Sequence, residues 1–290
     1  MKTRREFLTA AGAAYAVSAL AKLPAGIRYG YTAMTWGKDE KQAVDDIATA
    51  GFEGIQFRID ATTEFQPDEL KSRLAAKKLS FVALSGGEVS IDAGARDEAI
   101  AKQAANAKFL KDSGGLYLQV LDQLKAYPRS VTAEECRKLG ALLTEIGKRS
   151  ADTGIPLVYH NHMNTISEHP ENLDRVLEAS DAKYVHLLLD TAHSTAGGGN
   201  PAEAIRKYRE RLRLVHLKDV VDASMSAPGA KYPFQWVELG QGKVDLRAVF
   251  AALEEVKFRG WAVVELDRVP VAGRTPLESA MMNRRFLDGL

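Results

Sequence analysis

His160 and His162 stand two positions apart in PLVYHNHMNTISE, residues 156–168, and Glu168 closes the stretch. Imidazoles and carboxylates at this density can ligate a divalent cation, bind hydroxyl groups or move protons. Three later stretches repeat the theme: LLLDTAH carries Asp190 and His193, LVHLKDV carries His216 and Lys218, and WAVVELDR carries Glu265 and Asp267. Each set ends an apolar run with strand character, and residues two apart on a strand share a face. Taken singly, a strand-end Asp reads as a helix cap and a lone His as a hydrogen-bonded filler. Four consecutive strands ending in ionisable groups read differently. Charges gathered at one place repel one another or lose hydration unless a cation or ligand sits among them.

Eight such runs begin at residue 27: IRYGYTAMTW, GIQFRI, SFVALSG, LYLQVL, PLVYHNH, YVHLLLDTAH, LRLVHLKDV and GWAVVELDR. Amphipathic segments such as AEECRKLGALLTEIGKRSADTG and LRAVFAALEEVKF alternate with them, and several end at Gly, the usual left-handed helix cap. Eight strand–helix units in about 265 residues predict an α/β protein of the (β/α)8 TIM barrel type. Its active site then lies at the C-terminal strand ends, where the ionisable sets fall. An open doubly wound sheet is the second reading, weakened because no G-x-G-x-x-G follows the first run.

The first 21 residues stand apart. MKTRREFLTAAGAAYAVSALA has a basic start, a small-residue apolar run and an A-x-A-like end. Arg4 and Arg5 followed by Phe7 and Leu8 resemble the twin-arginine export motif, so residues 1–21 are expected to be an export signal and residues 22–290 the barrel domain. The run is shorter than the ~20 apolar residues of a spanning helix. The expected partners are the twin-arginine export machinery and a small-molecule substrate. The expected destination is the periplasm or the medium of a bacterium, with no membrane attachment once the signal is removed. Losing Lys2, Arg4, Arg5 and Glu6 moves the formal charge from +1 to about −1, which offers nothing to a nucleic acid. The single cysteine, Cys136, forms no intramolecular disulfide, so stability must come from a core that 290 residues, 46% of them hydrophobic, can supply. Oligomeric state is not encoded in these patterns.

LLLDTAH, LVHLKDV, LGQGKVDLRAVFAALEE and FRGWAVVELDR resemble the xylose isomerase-like barrel superfamily of sugar isomerases and epimerases, most closely its inosose dehydratase branch. The similarity covers roughly residues 155 to 285 and is fairly specific for the superfamily, without choosing a substrate. It implies one divalent cation held by a Glu, an Asp, a His and a Glu at successive strand ends, of which Asp190, His216 and Glu265 match the last three. Where many members have Glu-Asn-His, this chain has His160-Asn161-His162. Either Glu168, reaching back from a loop in which Asn164 replaces a Gly, or His160 itself completes the set, with Glu168 preferred. Mn²⁺ is the first expectation, with Mg²⁺, Co²⁺ and Zn²⁺ as alternatives.

The resemblance also makes Glu265 both ligand and base, removing a proton beside a metal-polarised carbonyl of a sugar or cyclitol, with isomerisation, epimerisation or dehydration as outcomes. Lys218 or His193 would protonate the departing or developing oxygen. His160, His162 and Trp36 are expected to contact substrate, and Trp236 is a further candidate for stacking on a ring. Two other readings stand beside this one. A noncatalytic exported sugar-binding barrel would follow from loss of the first Glu; an endonuclease-type barrel acting on DNA would need a basic face.

Overall fold

The computed structural model describes residues 24–123, 130–224 and 233–289, so the export-signal reading of residues 1–21 lies outside the described residues. Among them run strands β1 (Ile27–Thr32), β2 (Gly54–Phe57), β3 (Ser80–Val89), β4 (Tyr117–Asp122), β5 (Leu157–His160), β6 (Val185–Asp190), β7 (Leu212–Leu217), β8 (Asp219–Asp222), β9 (Phe234–Val237) and β10 (Gly260–Val264). Between them lie helices α1 (Glu40–Thr49), α2 (Ala61–Glu64), α3 (Pro67–Ala76), α4 (Arg96–Ser113), α5 (Ala133–Ala151), α6 (Pro170–Glu178), α7 (Thr191–Ala196), α8 (Pro201–Lys207) and α9 (Leu246–Glu255), and α10 (Pro276–Asp288) ends the fold. Eight strands close a parallel barrel in the order β1-β2-β3-β4-β5-β6-β7-β10, the (β/α)8 architecture expected from the alternating runs. The helices start where the chemistry directs. Thr132 and Glu135 form a capping box on α5, Thr275 and Glu278 another on α10, and Asn200 caps α8 ahead of Pro201.

Two elements depart from the sequence reading. The first strand stops at Thr32, and Ala33–Trp36 form a 3-10 turn. The long connection after LVHLKDV contains the antiparallel β8–β9 hairpin, with Val220 opposite Trp236.

Alternation along the strands fixes what fills the barrel. Val82, Val158, Leu188, Leu214, Trp261 and Val263 pack together as a cluster distinct from the larger core between sheet and helices. Gly54 makes room for this cluster, since a Cβ there would lie 2.5 Å from Val82 and 2.6 Å from Trp261. Two residues beyond Val158, Leu188, Leu214 and Val263 come His160, Asp190, His216 and Glu265. The apolar layer and the ionisable layer are therefore one face of the same four strands at successive heights.

The LGQG stretch owes its shape to Asp219. This fully buried carboxylate accepts from four backbone N–H groups, those of Val220 and Val244 on Oδ1 and of Gly240 and Gly242 on Oδ2. Gly242 is required by that approach, because a Cβ would stand 2.1 Å from Asp219 Oδ1. Replacing Asp219 by Ala leaves these donors without an acceptor. We expect Asp219→Ala to lose about 3 kcal/mol and to melt roughly 10 °C lower by circular dichroism. Melting within ~2 °C of wild type would show that other contacts hold the turn.

Candidate metal centre

His160, Asp190, His216 and Glu265 each direct one ligand-type atom to a common point, all four atoms lying within 4.8 Å of one another, and all four residues are buried. His216 Nδ1 is 3.2 Å from Glu265 Oε2 and 3.7 Å from Asp190 Oδ2. Asp190 is oriented by its own helix: Oδ1 caps α7 by accepting from His193 N at 2.8 Å, which leaves Oδ2 for the centre. Asn161 holds the neighbouring strand end by accepting from Asp190 N at 2.9 Å. His160 Nδ1, Asp190 Oδ2 and His216 Nδ1 are buried and have no hydrogen-bond partner among the described residues.

The proton on His216 is accounted for elsewhere. Its Nε2 lies 3.0 Å from Gln56 Oε1, an acceptor, so a neutral His216 ring places its proton on Nε2 and turns the Nδ1 lone pair to the centre. A lone pair facing two carboxylate oxygens in a buried site is repulsive as it stands, and a cation is what such a donor set fits. Burial, and then the neighbouring His216, hold the His160 imidazole well below its ordinary range, which keeps it a neutral donor.

Lys218 is the cation beside this cluster. It is fully buried, 3.0 Å from Glu265 Oε1 and 2.5 Å from Asp267 Oδ1. Burial opposes its charge, yet Asp267 and Glu265 outweigh burial and hold the ammonium above its ordinary range. Burial likewise works against an ionised Glu265, but Lys218 and a protonated His216 bring that carboxyl down to about 2. Asp219, which follows Lys218 directly, takes no part in pairing it. His193 Nδ1 lies 3.2 Å from Met163 N and its Nε2 3.2 Å from Lys218 Nζ, two donors of which a neutral ring accepts from one. The His162 ring lies 3.7 Å from that of His193, and the Trp236 ring lies 4.6 Å from His193 and 4.5 Å from Lys218 Nζ.

Two expected site residues are placed elsewhere. Glu168 is not among the converging ligands: its Oε2 accepts from Asn164 N at 2.6 Å within its own loop. Asn164 takes the left-handed conformation with φ 59°, which suits the position where a Gly was the expected residue. The loop is anchored further by Ile166 N, which donates to Asp122 Oδ2 on β4. Trp36 is turned to α1, its indole N–H donating to Asp46 at 2.7 Å and its ring edge-on to Tyr31. Trp236 of the hairpin stands at the site instead. A cavity of about 450 Å³ opens beside the ends of β5 and β6, lined by Asn161, Glu168, Ser194 and Asn200 among others, and none of the four converging residues lines it.

Three residues of the site's surroundings escaped the sequence reading: Gln56, Gln119 and Asp122. Their signal was a polar residue interrupting or ending an otherwise apolar run: Gln56 in GIQF, Gln119 and Asp122 in LYLQVLD.

Residues 44–287 match the family described as Xylose isomerase-like TIM barrel. An inosose dehydratase of Clostridium botulinum is 27% identical over 266 residues, covering 85% of this chain and 88% of that protein. The inosose dehydratase of Bacillus licheniformis is 28% identical over 274 residues, covering 87% and 88%. The crystal structure of the IOLI protein with a binding zinc atom superposes with a TM-score of 0.75 at 19% identity, covering 90% of this chain and 96% of that one. L-ribulose 3-epimerase superposes with a TM-score of 0.74 at 18% identity, covering 91% and 94%. These two structures share the fold.

The geometry separates the two candidates for the fourth ligand. We expect His160→Ala to lose a bound divalent ion after dialysis and Glu168→Ala to retain it, measured by elemental analysis beside wild type. Retention by His160→Ala with loss in Glu168→Ala would mean that the loop closes onto the cation.

Proposed function

The chain is an enzyme of the xylose isomerase-like TIM barrel family, and from that premise we propose that it is a divalent-metal-dependent isomerase, epimerase or dehydratase of a sugar or cyclitol. The observation that carries the reading is the convergence of His160, Asp190, His216 and Glu265, with three buried donor atoms that have no hydrogen-bond partner among the described residues. Two imidazoles and two carboxylates form a borderline donor set, which suits Mn²⁺, Co²⁺ or Zn²⁺ better than Mg²⁺. Such a cation supplies Lewis-acid polarisation of a carbonyl or hydroxyl oxygen, which acidifies the adjacent C–H.

The remaining chemistry belongs to the chain. Glu265 is ionised and is the carboxylate to accept the proton from carbon; its Oε1 faces Lys218 at 3.0 Å. As the proton arrives, Glu265 loses its charge and its attraction for Lys218, whose ammonium becomes available to the oxygen that develops or leaves. His193 stands beside the same ammonium, its Nε2 3.2 Å from Lys218 Nζ, and is the second candidate to carry the proton. His162 and Trp236 form the wall that a hydroxylated ring would lie against, apolar faces alternating with N–H donors. With residues 1–21 read as an export signal, the enzyme works outside the cytoplasm.

The dehydratase outcome is favoured by inosose dehydratases recurring among the relatives. The test is solvent deuterium exchange into the carbon next to the carbonyl, read by NMR over a panel of inososes and unphosphorylated ketoses. Wild type loaded with Mn²⁺ is expected to exchange at least one of them. Glu265→Gln should exchange it at least about 100-fold more slowly while keeping its melting temperature. Exchange at the wild-type rate in Glu265→Gln would remove Glu265 as the base.

A further inference from the structure

Gln56 lies on β2, across the barrel from His216 on β7, and is 2% exposed. Its Oε1 stands 3.0 Å from His216 Nε2, and its Nε2 donates to Gln119 Oε1 on β4 at 3.4 Å. An amide oxygen can only accept and an amide nitrogen can only donate. With the nitrogen of Gln56 committed to Gln119, the oxygen is what His216 meets, and of the two neutral tautomers of the imidazole the contact selects the one with its proton on Nε2.

The alternative tautomer has a strong attraction of its own. A proton on His216 Nδ1 would point at Glu265 Oε2, 3.2 Å away, and form a hydrogen bond to a buried carboxylate. That bond would occupy the lone pair that a cation needs. The same result would follow if the Gln56 amide were reversed, since its N–H₂ would then donate to Nε2 and drive the proton to Nδ1.

We infer that Gln56, held in orientation by Gln119, is a positioning residue that keeps His216 in the Nε2–H tautomer, so that Nδ1 meets a cation and not a proton. The inference rests on the metal reading of the centre. It assigns to the β2 and β4 side of the barrel a part in cation affinity, although neither strand contributes a ligand. The glutamines act only through His216; neither is placed against substrate.

The test uses the full chain, stripped of metal, with Mn²⁺ as the probe in calorimetric titration and ¹⁵N NMR of the metal-free imidazoles as a second readout. Gln56→Leu keeps the approximate shape and removes the acceptor; Gln56→Glu keeps an acceptor that cannot donate. Gln56→Leu is expected to bind Mn²⁺ about 10- to 100-fold more weakly, and Gln56→Glu within about threefold of wild type. Gln119→Leu, one step removed, should fall between them. In the metal-free protein, the His216 resonances should show a protonated Nε2 in wild type and in Gln56→Glu, and a shift of the proton toward Nδ1 in Gln56→Leu.

Wild-type affinity in Gln56→Leu with an unchanged tautomer would overturn the assignment. So would equal weakening by Gln56→Leu and Gln56→Glu, which would mark the position as one of packing alone. If Gln56→Leu does not fold, Gln119→Leu decides by the same two readouts. If wild type takes up no Mn²⁺, the metal reading fails, and the imidazole pattern separately decides whether Gln56 sets the tautomer.

Discussion

Lone pairs and negative charge crowd the centre of this barrel mouth, and much of the upper half of the molecule is arranged to hold them there. Asp190, Glu265 and Asp267 bring three carboxylates to a place with a single buried ammonium, that of Lys218, while His160 and His216 add neutral nitrogen donors. In water these groups would separate. Here four of the five are fixed by a further contact: Asp190 by the α7 N-terminus, His216 by Gln56, and Glu265 and Asp267 by Lys218. A cation of charge two, as proposed above, would balance the crowding.

The layer beneath makes that arrangement possible. Trp261 and the aliphatic side chains around it fill the lumen below the ionisable ring, and Arg28 lies 4.1 Å from the Trp261 ring. A dry, close-packed floor keeps water from competing for the donor atoms and lets strand alternation set their heights without slack. The same alternation explains why four strands contribute ligands at one level. A one-residue slip in any of them would exchange a ligand for a residue of the outer core.

Much of this was legible before any coordinates. The strand–helix alternation specifies the barrel, and the two-residue spacing specifies which of Asp190, His216, Lys218, Glu265 and Asp267 share its inner face. What was not legible depends on contacts between distant segments. The choice between Glu168 and His160 turns on a loop whose course is fixed by a left-handed Asn164 and by Asp122 from another strand. No local pattern carries that information. Trp36 and Trp236 look alike as stacking candidates, yet a 3-10 turn commits the indole N–H of one to Asp46 and a hairpin delivers the other to the site. Gln56 and His216 are separated by 160 positions, and only barrel closure makes them neighbours.

The junction between β7 and the β8–β9 hairpin carries one more meaning. Lys218 sits at that junction, and Thr191 grips its backbone from both sides, its hydroxyl donating to Lys218 O and accepting from Lys218 N. Asp219, the next residue, is equally fixed by the LGQG turn. The charged residue and the hairpin are thus joined through a clamped backbone, and they meet again where the Trp236 ring lies 4.5 Å from Lys218 Nζ. A lineage can lengthen, shorten or rewrite the hairpin, and with it the wall beside the site, while the clamp on the Lys218 backbone is kept. Such a division lets one barrel change its diet without rebuilding its chemistry.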